Sequence, residues 1–203
     1  MSRDLPRICL IGPHGAGKTT LGLELADRLG VPFRTEIGRE LREAALAQDA
    51  NRHALQADVD FDRAVVEAEL ARDAALDGPG GFVVETWHPG NLAYARLRSP
   101  SVFEAHHAAA RTAARVAGVV VVPVFAQVRT LMERCNEPGG TLEERTAFFC
   151  RVAREAERIA RTWGLQMAPA CDTSHSTVDT CVEGILAHLA HLGHRPGQIA
   201  RAA

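Results

Sequence analysis

The stretch "ICLIGPHGAGKTT", Ile8–Thr20, sets an apolar run directly against a loop with three glycines, a lysine and two threonines. Such a loop has little side chain to pack and many backbone N–H groups to offer. Gly12 to Thr19 fits G-x-x-x-x-G-K-[ST], with Gly12, Gly17, Lys18 and Thr19 at the fixed positions. Glycines let consecutive N–H groups turn inward as an anion nest, and a helix that starts at Lys18 adds its positive end. Lys18 is then placed for the β- and γ-phosphates, and the Thr19 hydroxyl for Mg²⁺. His14, Gly15, Ala16 and Thr20 complete the cradle. An apolar strand before the loop and a helix after it are the context the motif requires, so the loop is read as a site for ATP.

Bulk properties narrow what surrounds that loop. A chain of 203 residues suits one α/β domain with a sizeable core. Basic and acidic residues number 23 and 25, and the resulting net charge of -2 argues against a general nucleic-acid binder. No apolar run approaches the roughly 20 residues needed to cross a bilayer, so no membrane partner is expected. The opening "MSRDLP" lacks the apolar region of a secretory signal. Five cysteines, an odd number without a CxxC pair, fit reduced thiols and a cytoplasmic setting. Cys171, His175 and Cys181 match no zinc spacing. His188, His191 and His194 recur every three residues and read as a solvated helix face near the negative end of its dipole.

Outward from the loop, short apolar runs alternate with helical patterns. Strands are expected at Arg7–Ile11, Val31–Thr35, Phe82–Glu85, Val119–Phe125 and Leu165–Ala168. Helices are expected at Lys18–Leu29, Ile37–Gln48, Asp58–Leu76, Ser101–Val116, Thr141–Trp163 and Thr177–Leu192, with "DGPGG" at Asp77–Gly81 as a stop. The run "GVVVVPV" at Gly118–Val124 is almost continuously apolar, the pattern of a strand covered on both faces. Strand–helix alternation implies a parallel sheet with right-handed crossovers. The domain is expected over 1–194, with a C-terminal tail at 195–203. The alanine-rich helix Val102–Val116 faces either the core or a second copy, which leaves a homodimer open.

Sheet proteins of this class bind ligands beyond the carboxyl ends of their strands. There, "TEIGRE" at Thr35–Glu40 and "VVETWHPGN" at Val83–Asn91 each supply a carboxylate. Glu85 is the expected acidic partner of Mg²⁺, completing the site begun by Thr19; helix capping is its plainer role. Glu36 is the expected acceptor for a substrate hydroxyl, although the helix dipole also favours a first-turn glutamate. Arg39 pairs with substrate or with Glu43 one turn on. Trp87 offers either a stacking face or a core anchor, and Asn91 either a ribose contact or a helix cap.

After the fourth strand, the polar, glycine-containing segment Gln127–Arg145 reads as a lid, about 127–146. A lid arginine that closes over the transferring group is the usual aid to phosphoryl transfer. Arg145 is the first candidate and Arg134 the second, although Glu143, Glu144 and Arg145 also suit the first turns of a salt-bridged helix.

Together these features resemble the P-loop kinases of nucleosides and nucleotides. More narrowly, the chain resembles the ribosylnicotinamide kinase domain of bifunctional NAD-biosynthesis proteins and related small AAA-type ATPases. The resemblance rests on "GPHGAGKTTL", "TEIGRELREAA", "FVVETWHPGN" and "TLEERTAFFCRVA", and spans roughly residues 7–190. It implies a three-layer α/β fold with a five-stranded parallel sheet in the order 2-3-1-4-5. It implies Glu36 as the substrate-side carboxylate and Glu85 as the Mg²⁺-side acid. The sequence departs from the pattern where "TWHP" follows Glu85 and where the lid lacks D-G-x-R. Three functions follow in order: a kinase for a nucleoside-like hydroxyl, a monophosphate kinase using Arg39, Arg96 and Arg98, and a regulatory ATPase acting on a protein. No N-K-x-D guanine motif is present.

Overall fold

The computed structural model describes residues 5–47, 59–75, 80–134 and 140–194. Its elements run β1 (Arg7–Ile11), α1 (Lys18–Leu29), β2 (Phe33–Arg34), α2 (Ile37–Leu46), α3 (Val59–Ala74), β3 (Phe82–Glu85), α4 (Trp87–Arg98) and α5 (Pro100–Ala117). Then follow β4 (Val120–Phe125), α6 (Val128–Arg134), α7 (Leu142–Thr162), β5 (Gln166–Met167), β6 (Cys171–Asp172) and α8 (Val178–His191).

The sheet is parallel throughout, in the order β2-β3-β1-β4-β5, with β6 pairing to the far end of β4. β1 lies at the centre, matched Ile8↔Val120 on one side and Arg7↔Phe82 on the other. Because helices cover both faces, β1, β3 and β4 carry near-continuous apolar runs rather than alternating ones. Side chains of β1 then divide by parity. Cys9 and Ile11 join Val84, Val121 and the helices α4, α5 and α7, while Ile8 and Leu10 join Leu21, Leu25 and α8. The layered α/β architecture and strand order expected from the sequence are present, with one addition: among the described residues the sheet has a sixth strand, β6.

The differences have physical causes. β2 and β5 shrink to two residues each, because they are edge strands whose outer side is unpaired. The helix α4 begins at Trp87, ahead of Asn91, which therefore lies inside it rather than capping it; Pro89 is tolerated in the first turn because first-turn N–H groups have no intrahelical acceptor. A short helix, α6, occupies the start of the expected lid. The lid segment 135–139, positions 77–79 of the stop signal and the tail at 195–203 lie outside the described residues, as do Gln48, Asp58 and Leu76, which end two expected helices. On α5, Ala110 and Ala114 are fully buried, so one alanine face belongs to the core. Among the described residues, no helix is long and apolar enough to cross a membrane.

Candidate active site

The loop between β1 and α1 is built against its surroundings. A side chain at Gly12 would put its Cβ 2.0 Å from the Val124 carbonyl oxygen, so only glycine permits the close approach of β4. Gly17 caps α1 in the left-handed region, at φ 83°, which brings the helix N-terminus to face the loop. Lys18 Nζ donates to the carbonyls of Gly12 and Pro13, each at 3.0 Å, and so curls back over the loop. Burial lowers its pKa from the ordinary ammonium value, opposed by the carboxylates of Glu36 and Glu85. It is also the only lysine in the chain.

Two strand ends converge on this loop. Glu85, the last residue of β3, is 0% exposed. Its Oε2 accepts from Thr19 Oγ1 at 2.8 Å, while Oε1 lies 3.2 Å from Arg39 Nη2 and 3.4 Å from the Glu36 backbone N–H. Thr19 and Glu85 are therefore adjacent, as the Mg²⁺ reading requires, and they present hard oxygen donors beside the phosphate loop. A buried carboxylate needs a cation nearby, and Arg39 supplies one in this geometry.

Directly after Glu85 the chain takes an unusual path. Thr86 and Trp87 adopt φ 69° and 46°, a left-handed region that residues with a Cβ rarely occupy. The turn is held from α3. Asp73 Oδ2 accepts from Trp87 Nε1 at 3.0 Å and lies 2.9 Å from His88 Nε2. Glu69, fully buried, accepts from Arg72 Nε and from Asn91 Nδ2, both at 3.0 Å, and Arg72 Nη1 donates to the Thr35 carbonyl at 2.9 Å. Burial raises the Glu69 pKa, against the opposing pull of Arg72. One buried network thus ties the end of β2 to the end of β3.

That network corrects the reading of Trp87 as a stacking face. Trp87 is 1% exposed and packs edge-on to Phe82, because its indole N–H finds Asp73 inside the protein. Its role is to anchor the turn.

A cleft of about 300 Å³ opens on the other side of Glu36. It is bordered by Glu36, Arg39, Arg42 and His14, by Asn91, Tyr94 and Arg98 of α4, and by Arg145, Phe148 and Phe149 near the start of α7. The ring of His14 lies 5.2 Å from that of Phe149. Several of the arginines are already engaged. Arg98 pairs with Asp62, which also accepts from Ser99 Oγ, and lies over the Tyr94 ring. Arg145 Nη1 donates to the Gly140 carbonyl at 2.8 Å. The Thr141–Glu144 capping box sets the start of α7 and so places Arg145 at the cleft. Arg96 pairs with Glu155 and does not border the cleft.

Arg134 stands on the opposite side of the phosphate loop. Its Nη1 lies 3.2 Å from Thr173 Oγ1 and 3.5 Å from the Gly15 carbonyl, and Thr173 Oγ1 donates to the Ala16 carbonyl at 2.9 Å. A second cleft, of about 330 Å³, runs between Gly17, Thr20, Arg134, Thr173 and Thr177. Thr173 escaped sequence reasoning because β6, which delivers it, is two residues long and has no periodicity to read.

A glycine-rich loop between a central strand and a helix, with a lysine inside it and a Thr–Glu pair at its end, defines a P-loop nucleotide-binding protein with a kinase-like fold. The AAA domain family model matches residues 7–164, and the chain belongs to that family. No curated protein matches the chain in sequence. Among solved structures, it is similar to the NadR protein in complex with NAD and AMP-PNP (16% identity, TM-score 0.62). That alignment covers 93% of this chain and 51% of the other, so the chain spans about half the length of that protein. It is also similar to deoxyadenosine kinase from M. mycoides (14% identity, TM-score 0.56, covering 92% and 99%) and to shikimate kinase from Acinetobacter baumannii in complex with shikimate (16% identity, TM-score 0.53, covering 94% and 96%).

Proposed function

We propose that the protein is an ATP-dependent small-molecule kinase that transfers the γ-phosphate to a hydroxyl of a nucleoside-like acceptor. The observation that carries the proposal is the cleft bordered by Glu36, which lies next to the phosphate loop yet is separate from the second cleft beside Arg134. One ligand at the loop and another across Glu36 is the arrangement a transfer between two small molecules needs. The similarity in fold to deoxyadenosine kinase and shikimate kinase is consistent with it.

In this reading the triphosphate lies along Gly12–Thr20, with its base in the cleft between Arg134 and Thr173. Lys18 leaves the Gly12 and Pro13 carbonyls for the phosphates. Thr19 and Glu85 would hold Mg²⁺, which when bound offsets phosphate charge. Glu36 accepts the hydrogen bond of the attacking hydroxyl and aligns it; because the transition state is loose, alignment matters more than basicity. Arg145 flanks the transferring group. The flat walls at Tyr94, Phe148 and Phe149 suit a ring such as a nucleobase, and Asn91 borders the same cleft. A monophosphate acceptor is less well supported, since Arg96 pairs with Glu155 away from the cleft and Arg98 is held by Asp62.

The test is transfer of labelled γ-phosphate to a panel of nucleosides, nucleoside monophosphates and sugar alcohols. Label on a nucleoside-like hydroxyl supports the proposal. Hydrolysis to inorganic phosphate alone, across the whole panel, contradicts it.

A further inference from the structure

Arg39 stands between the two halves of the site. Its Nη2 lies 3.2 Å from Glu85 Oε1 and 3.3 Å from Thr19 Oγ1, the same two residues that offer oxygens to a divalent cation. Arg39 also borders the acceptor cleft, in the first turn of α2 and three residues after Glu36. Its side chain is 35% exposed, so it is not locked in place. Arg98, another arginine of the same cleft, is held by Asp62 and a tyrosine ring.

Thr19 and Glu85 would hold a divalent cation through the same oxygens that Arg39 meets in this structure. The Arg39 guanidinium would then face a second, larger positive charge at the same oxygens of Thr19 and the buried Glu85. Like charges so close repel strongly when the local dielectric is low. Lys18 does not share the position, since its ammonium lies on the Gly12 and Pro13 carbonyls.

We propose that Arg39 is a displaceable counter-ion of the metal site: it competes with the divalent cation for Glu85 and Thr19, and its displacement turns the guanidinium into the acceptor cleft. Loading of metal and nucleotide thereby charges the acceptor side of the site. The inference rests on the nucleotide-binding reading above and adds an order to it, the metal nucleotide before the acceptor. An arginine suits this role because its planar fork can leave one pair of oxygens and meet another without losing charge.

The test uses the full chain with Mn²⁺ as a paramagnetic probe, titrated in the presence of saturating AMP-PNP. The parent is compared with Arg39→Gln and Arg39→Lys, with thermal melts to verify that each folds. Removing the competing charge should tighten Mn²⁺ binding by Arg39→Gln about fivefold or more, with Arg39→Lys near the parent. Phosphate transfer by Arg39→Gln should fall even though the metal binds more tightly. Equal or weaker Mn²⁺ binding by Arg39→Gln overturns the competition, and tighter binding with unchanged transfer overturns the role in the acceptor cleft. A parent chain that shows no nucleotide-dependent Mn²⁺ binding overturns both the inference and the nucleotide site. Nucleotide-dependent binding without any transfer overturns the kinase reading alone.

Discussion

Asp73→Asn is expected to loosen the turn that presents Glu85. Asp73 Oδ2 accepts from the Trp87 indole and lies 2.9 Å from His88 Nε2, and Asp73 Oδ1 lies 3.8 Å from Arg34 Nη1. Hydrogen bonds to a charged acceptor contribute about 1.5–3 kcal/mol each. Both partners meet the one oxygen Oδ2, so the asparagine amide oxygen can stand there only as a weaker, uncharged acceptor, and its NH₂ then faces the Arg34 guanidinium. Removing the carboxylate also leaves Arg34, a mostly buried cation, without its nearby acid. The net loss should be about 2–4 kcal/mol, much of it from the unpaired groups left behind. For a chain of this size that lowers the melting temperature by roughly 5–15 °C. Thermal and urea unfolding of the parent, Asp73→Asn, Trp87→Phe and the double variant measure it. The cycle should return a coupling of at least about 1 kcal/mol between Asp73 and Trp87. A loss below about 1 kcal/mol, or additive single effects, would refute the argument that α3 holds the Thr86–Trp87 turn.

The position of Lys18 leads to a pH prediction. Burial holds its pKa below that of the unfolded chain, so unfolding takes up a proton and stability rises with pH between the folded and unfolded values. Because Lys18 is the only lysine, reductive ¹³C-methylation gives one side-chain signal to follow beside that of the N-terminus. That signal should titrate below the ordinary ammonium range and move upward on adding ATP; an unmoved titration would place the triphosphate elsewhere. Lys18→Ala should abolish transfer through the loss of a charge-assisted phosphate contact, roughly several kcal/mol in the transition state, and near-parental turnover would refute that role. Glu85→Gln should weaken the response to Mg²⁺, since a carboxamide lacks the charge that attracts a hard cation; a parental Mg²⁺ titration would make Glu85 structural. Arg134→Ala should weaken nucleotide affinity while leaving the acceptor side unchanged, as calorimetry with AMP-PNP would show.

The centre of the molecule was legible in sequence because its signals are local. The run of β1, the spacing Gly12–Gly17–Lys18–Thr19 and the unbroken apolar stretch of β4 each need only their own residues to be read. Glu36 and Glu85 are legible as candidates because one follows and the other ends a strand that points at the loop. What escaped depends on contacts distant in sequence. Trp87 reads equally well as exposed or buried until Asp73, fourteen positions earlier, is seen to accept its indole proton. Thr173 reaches the phosphate loop across 157 positions, from a strand too short to leave a pattern. In sequence Arg39 has Glu43 as its visible partner one turn on, whereas its pairing with Glu85 joins two strand ends that only the sheet order brings together.

In the proposed mechanism Glu36 faces the acceptor while Lys18 faces the triphosphate. The most direct test is Glu36→Gln, once an acceptor has been identified, with turnover and ATP affinity measured side by side. Turnover should fall by about two to four orders of magnitude, as for loss of a positioned acid–base group, while the dissociation constant for ATP stays within about twofold of the parent, since RT ln 2 is below the scale of one hydrogen bond. Loss of ATP binding with acceptor transfer otherwise intact would put Glu36 on the nucleotide and contradict the claim.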